Sequence, residues 1–378
     1  MRLDEPAFNC DIELQDATGA VLAFSDGAGG IEQIDHLFDA DGTYYIRCYA
    51  GGGDPGESDY WLDVDLEPYE PWTSVQAGDT GSGDFGEYCN LLVGSPPGIA
   101  FYDGESKEPY YASCDTEDGL GEWTTYQIIA NPSPESLDIG PHLSAAIVVN
   151  FPVVACPRIN LVTAQEIPMQ IAVCDLPNGS GSWTVLETFD YNCTGSPSVR
   201  AVQNKLALAY EAYDNLAETH GAWYAINFMP DGSGFWETVQ VDPDNLGARY
   251  NSMTIVGSNP AIAYYAWKAD PGELRFVRAS TTDGKGEPWN APVTVDSGAG
   301  GVGDYCSMSV VTDRPAISYF DTGASKLKYA INDHPHGTAE WHIVTVGINE
   351  PGATTLRVID GYPTIAVSSA GAVRLWHR

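Results

Sequence analysis

Residues 305–311 read YCSMSVV, 314–321 RPAISYFD, 326–333 KLKYAIND and 341–346 WHIVTV: four short apolar runs separated by turn residues. Val, Ile, Tyr and Ala in runs of this length, bounded by Gly, Asp, Asn and Pro, are strand and turn signals. The pattern recurs along the chain. Its second run appears as PGIAFYD from Pro97, PVVACPR from Pro152, LALAYEA from Leu206, PAIAYYA from Pro260, PAISYFD from Pro315 and PTIAVSS from Pro363, at spacings of 55, 54, 54, 55 and 48 residues. A tryptophan marks the fourth run at Trp72, Trp123, Trp183, Trp236, Trp289 and Trp341. A period of about 50 residues with four short strands per unit is the signature of a β-propeller, whose blades are apolar on both faces because each is packed between two neighbours.

The phase of the two markers predicts how the ring closes. The chain ends at Arg378 after the third run of its last unit, and the surplus tryptophan run, PWTSVQ at 71–76, lies before the first. The expected fold is all-β: a six-bladed propeller over residues 67–378, its last blade completed by 71–76, preceded by a small β-sandwich over residues 1–66. Closure by an N-terminal strand would remove the open sheet edges on which other chains pair.

Composition narrows the function. With 52 acidic and 17 basic residues the net charge is −35, and lysine occurs six times. Such a surface repels phosphate backbones, so no nucleic-acid partner is expected. No run of about 18 apolar residues is present, so no membrane span is expected. Eight cysteines, at 10, 48, 89, 114, 156, 174, 193 and 306, form no CxxC pair, which excludes a zinc ribbon. An even count suits disulfides in an exported protein. Cys10 with Cys48 and Cys156 with Cys193 are candidate pairs, while Cys114 and Cys174, equivalent in neighbouring units, also read as small buried apolar residues.

Residues 8–66 fall outside the repeat. Asp11-Ile-Glu-Leu14, Gly19, Ser25-Asp26, Glu32 and Ile34, residues 42–47 (GTYYIR), and Tyr60, Leu62 and Val64 together resemble the pre-peptidase C-terminal domain, a β-sandwich appended to secreted bacterial enzymes. The resemblance implies an accessory role outside the cell. That family has strands ahead of the Asp-x-x-Leu run, so the expectation is a truncated sandwich within a longer secreted or cell-surface protein whose propeller is monomeric. The links before the tryptophans, DGLGEW at 118–123, NGSGSW at 178–183, DGSGFW at 231–236 and DGKGEPW at 283–289, resemble a variant of the Asp-box turn of sialidases. An Asp or Asn side chain caps such a turn and its glycines take positive φ.

The opposite end of the blades is the expected ligand face. Loops entering the first strands offer Tyr88, His142, Pro197, Tyr250, Tyr305 and Thr354, with Arg249 and Asp304 beside them; loops joining strands two and three offer Tyr102, Asp103, Arg158, Glu211, Trp267 and Asp321. The candidate ligand residues are Tyr88, Tyr102, Asp103, His142, Arg158, Arg249, Tyr250, Trp267, Asp304, Tyr305 and Asp321. Aromatic faces bordered by carboxylates suit sugar rings, which are apolar on their C–H faces and polar at the rim. The same tyrosines would also serve as plain packing at strand ends. The expected function is binding or scaffolding with an extracellular glycan or protein as partner; a sialidase-like glycoside hydrolase or lyase is the alternative. A sialidase-like site needs three arginines, of which Arg158 and Arg249 are candidates, and a glycosidase pair would come from Asp103, Asp304 and Asp321. No cofactor is assigned from the sequence; calcium is the metal that Asp-Gly-rich turns would take.

Overall fold

A computed structural model describes residues 2–4, 10–25, 31–34, 43–50, 61–63, 76–77, 85–163, 165–187, 192–214, 219–286, 289–348, 352–359, 361–369 and 372–377. The chain folds as two compact units, Met1–Ser74 and Val75–Arg378.

The first unit contains two three-stranded antiparallel sheets. Arg2–Asp4 lies between Ile31–Gln33 and Trp61–Asp63; Cys10–Gln15 lies between Val21–Ser25 and Tyr45–Ala50. Ile12, Leu14 and Ile34 form its buried core. Asp16 closes the hairpin by accepting hydrogen bonds from the backbone N–H groups of Thr18 and Ala20 at 2.8 and 3.0 Å. The register sets Cys10 opposite Ala50 and Cys48 opposite Ile12, a diagonal relation rather than a direct one.

The second unit is a β-propeller built of antiparallel sheets in chain order. The first holds Phe85–Leu92, Gly98–Asp103, Glu108–Cys114 and Trp123–Gln127; the second holds Ser144–Val148, Phe151–Asn160, Gln165–Cys174 and Trp183–Glu187, with Leu137–Ile139 paired to the far end of its second strand. The third comprises Asn192–Val202, Lys205–Asp214, Thr219–Asn227 and Trp236–Gln240, and the fourth Arg249–Val256, Asn259–Ala266, Glu273–Arg278 and Val293–Ser297. The fifth comprises Val302–Val311, Arg314–Asp321, Lys326–Asn332 and Trp341–Ile348, and a sixth is described by Thr354–Ile359, Tyr362–Ser369 and Ala372–His377. The strand expected at 71–76 lies, apart from Gln76, outside the described residues. In the fourth sheet the tryptophan does not start the last strand: Trp289 makes only an isolated bridge to Ala279, and the strand begins at Val293, just after Pro292, which has no N–H to give to a ladder.

The core lies between consecutive sheets. Val154 and Cys156 pack with Ala100, Tyr102 and Tyr111; Ile171 with Leu208 and Tyr210; Tyr224 with Ile262 and Tyr264; Phe276 with Ile317 and Tyr319; and Ala316 and Tyr329 with Ile365 and Val367. Cys156 is therefore a free, fully buried thiol rather than half of a bridge to Cys193, because its side chain points into the first of these interfaces. Cys114 and Cys174 are likewise free and buried.

A hydrogen-bond ladder joins the first strands across the interfaces. Val199 N donates to Ser144 Oγ at 3.1 Å, Met253 N to Ser198 Oγ at 3.0 Å, Met308 N to Ser252 Oγ at 2.9 Å and Leu356 N to Ser307 Oγ at 3.0 Å. Asn90 Oδ1 takes the same place in the first sheet, accepting from Ala145 N at 3.3 Å. Each acceptor residue sits opposite a small residue of its own second strand (Ala100, Ala155, Ala209, Ala263 or Ser318), so the five positions are equivalent.

The capped turns at the other end lock neighbouring sheets. Gly119, Gly179, Gly232, Gly284 and Gly337 all take φ between 69° and 77°. The tryptophan that follows packs on an aromatic ring of the preceding sheet: Trp183 on Tyr111 at 5.4 Å, Trp289 on Tyr224 at 5.1 Å and Trp341 on Phe276 at 5.2 Å. In the fifth sheet His334 Nδ1, rather than a carboxylate, accepts the turn hydrogen bond from His336 N at 3.2 Å.

Candidate binding face

The first strands start, and the second strands end, at one edge of each sheet: Glu87 pairs with Tyr102, Arg249 with Tyr265 and Asp304 with Phe320. The register slips just inside that edge, between Glu87 and Asn90, between Arg249 and Ser252, and between Asp304 and Ser307. Bulges of this kind re-aim a side chain. Tyr88, Tyr250 and Tyr305 occupy them at φ of 51°, 54° and 54°, and His142 matches them at 59°. A non-glycine residue in this region costs about 1 kcal/mol or more, so the surrounding structure must hold it there.

The holding groups are visible. Tyr250 O accepts from Cys306 Sγ at 2.8 Å, Tyr305 O from Thr354 Oγ1 at 2.9 Å, and the matching Ser196 O from Asn251 Nδ2 at 3.1 Å. These three carbonyls are thus tied to the next sheet, whereas Tyr88 O accepts from Asn90 Nδ2 of its own strand at 2.9 Å. Thr354 and Pro197 do not occupy the aromatic positions that the sequence assigned them. Register with the serine ladder puts Ala353 and Ser196 there instead, one residue earlier.

The four rings make a continuous patch. Ring centroids of Tyr88 and His142 are 4.3 Å apart, those of His142 and Tyr250 6.4 Å, and those of Tyr250 and Tyr305 4.5 Å; Tyr102 lies 6.0 Å from Tyr88. His142 and Tyr250 belong to the second and fourth sheets, so they meet across the propeller axis. Burial lowers the pKa of His142 below its ordinary 6.5, keeping the imidazole neutral at pH 7. Burial raises the pKa of Tyr250 and Tyr265, and the Asp304 carboxylate adds to both shifts.

A second group flanks this patch. The Arg249 guanidinium lies 4.2 Å from the Trp267 ring centroid and the Lys268 ammonium 5.3 Å from it. Trp267 Nε1 donates to Glu211 Oε1 at 2.8 Å, and His220 Nδ1 lies 3.0 Å from the same oxygen. Glu211, only 2% exposed, orients the indole; the sequence reading placed it in the face without a role. The serine ladder and the bulge-carbonyl donors were also missed. Their signal was the recurrence of Ser at 144, 198, 252 and 307.

The other candidates are used differently. Asp103 Oδ1 accepts from Glu105 N at 2.9 Å and Ser106 N at 3.1 Å, and Asp321 Oδ1 from Ala324 N at 2.8 Å. Asp321 also pairs with Lys328 at 2.8 Å. These two carboxylates cap the loops between strands two and three. Asp304 accepts from Thr322 Oγ1. Tyr102 donates to Asp138 Oδ1 at 2.7 Å. Arg158 stands at the bulge of the second strand in the second sheet. Among the described residues no three His, Cys, Asp or Glu side chains are grouped to hold a metal ion. No described helix is long and apolar enough to cross a membrane.

No protein-family model matches the sequence. No curated protein is significantly similar to it either. Among solved structures, the NanB sialidase of Streptococcus pneumoniae is similar at a TM-score of 0.51 and 8% identity, over 80% of this chain and 68% of that one. This likeness shows the propeller fold. The Aleuria aurantia lectin matches at a TM-score of 0.46 and 11% identity, over 78% of this chain and 92% of that one.

Proposed function

We propose that the second unit is an extracellular glycan-binding propeller whose platform is Tyr88, His142, Tyr250 and Tyr305, with Trp267 and Arg249 at its border. The unbroken run of ring contacts from Tyr88 to Tyr305 carries this reading, because four sheets each hold a strained residue to contribute one ring. A sugar stacks on such rings through its C–H face, while Arg249, Lys268 and Asp304 offer hydrogen bonds at the rim. The platform is not repeated sheet by sheet, so a single axial site is expected. The sialidase-like fold keeps hydrolysis as the alternative, but Asp103 and Asp321 already cap turns and Glu211 already holds Trp267 and His220.

The test is a glycan array followed by titration calorimetry of the best ligand. Tyr250→Ala is expected to weaken binding about 10-fold or more, as removing a central aromatic anchor does. Mass spectrometry of the bound sugars should find them intact; cleaved sugar would assign the hydrolase reading. Unchanged affinity in Tyr250→Ala and Tyr305→Ala would remove the platform from the site.

A further inference from the structure

Two residues beyond each ladder position, the first strands carry Leu92, Ala146, Arg200, Thr254, Ser309 and Arg357. Residues at alternate positions of a strand share a face. The intervening residues Val199, Met253, Met308 and Leu356 are at most 2% exposed and fill the interfaces between sheets. Arg200 and Arg357 thus share the face of the ladder residues on the strands that line the axis, on the third and sixth sheets, with Arg200 half-buried and Arg357 exposed; at the same register of the first sheet, Leu92 packs into the interface with the second. The two arginines stand at most about 13 Å along the strand from the aromatic platform, counting four residues at no more than roughly 3.3 Å each.

Each guanidinium donates from Nη1 to the carbonyl just before it, Arg200 to Val199 O at 2.7 Å and Arg357 to Leu356 O at 2.8 Å. Neither joins an ion pair among the described residues, although acids outnumber bases three to one in this chain. At their level the described neighbours are Leu, Ala, Thr and Ser, and the ladder level above offers Asn, Ser and Thr. The surroundings depress both groups. Desolvation by the surrounding protein, with repulsion from Arg357, brings Arg200 down to about 10, and the same desolvation lowers Arg357 although its surface is exposed. Two cations near one axis, neither ion-paired to a carboxylate among the described residues, call for a counter-charge from solution.

We propose that the propeller axis holds one small inorganic anion between Arg200 and Arg357. The guanidinium forks supply several N–H donors, which suits a halide or a tetrahedral oxyanion. The hydroxyls of Thr254 and Ser309, on the same register, are available to complete its shell. This site is independent of glycan binding at the platform.

The experiment is thermal melting of the full chain at pH 7 and constant ionic strength, with gluconate replaced stepwise by bromide or by sulfate. The wild type should show a saturable rise of about 3–5 °C, as a ligand bound only by the folded state gives. Arg357→Gln and Arg200→Gln should each abolish the saturable part, while Arg357→Lys, which keeps the charge, should retain some of it. Crystals grown in bromide should show an anomalous peak between the two guanidinium groups. An unsaturable response in the wild type, an equal rise in both Gln variants, or a bromide crystal without that peak would each overturn the proposal.

Discussion

At the residue scale, the turn glycines separate two costs that usually act together. Gly337 has φ of +73°, and a Cβ there would lie 2.4 Å from Phe276 Cε1. Gly286 has φ of +66° with open space around it. Gly286→Ala should therefore cost about 1 kcal/mol from backbone strain alone, and Gly337→Ala about 2–4 kcal/mol because the Phe276–Trp341 contact must also give way. Denaturant melts of the two variants measure the difference, and equal losses would mean that the turn does not lock the sheets. His142 supplies a pH prediction. Its folded pKa lies below the ordinary 6.5, so the unfolded chain binds its proton first. Stability linked to this group is complete above about pH 6.5 and declines as pH falls below it. His142→Gln should flatten the stability profile between pH 7 and 5; an unchanged slope would assign it to other groups.

At the scale of the element, the first strands join sheets as well as fill them. Ser252→Ala leaves the Met308 N–H without its acceptor in an interface where Met253 and Met308 are almost fully buried. The expected loss is about 1–3 kcal/mol, the cost of stranding a buried donor. Loss of less than 0.5 kcal/mol would mean that another group or water takes the hydrogen bond. These strands also show how far sequence can be read. The second strands were legible because their Ala-Ile-Ala-Tyr pattern meets apolar neighbours on both faces, which any blade must do. The platform positions Tyr88, His142, Tyr250 and Tyr305 stood out because an aromatic residue recurs two residues ahead of the ladder position in four of the six sheets. The sequence reading took Pro197 and Thr354 in place of Ser196 and Ala353, since no aromatic residue marks those two positions. The structural use of Asp103 and Asp321 was hidden as well: a carboxylate in an Asx turn and one aimed at a substrate look alike in sequence.

At the scale of the molecule, the joint between the sixth and first sheets differs from the other five. The residue following each ladder acceptor is buried in five sheets: Ala145 is 7% exposed, Val199 and Met253 0%, Met308 2% and Leu356 0%. In the first sheet the equivalent Leu91 is 63% exposed. Leu91 sits opposite Ile99 in register, just as Leu356 sits opposite Ile365, so its surroundings within the sheet are the same and only the neighbour differs. The ladder names the group that would cover it. Thr355, opposite Ala366, holds the acceptor position of the sixth sheet, and its Oγ1 is the counterpart of Ser307 Oγ. Closing this joint would give Leu91 N the acceptor that Ala145, Val199, Met253, Met308 and Leu356 already have. It would also bury a leucine side chain worth about 2 kcal/mol. Leu91→Asp is then expected to cost about 3 kcal/mol or more in a denaturant melt, far above the ±0.5 kcal/mol usual for a surface substitution. Thr355→Val should cost about 1 kcal/mol with the same cooperativity. A neutral Leu91→Asp would show a joint left open in water, and sedimentation should then find the wild type self-associating through that apolar edge and the Asp variant monomeric.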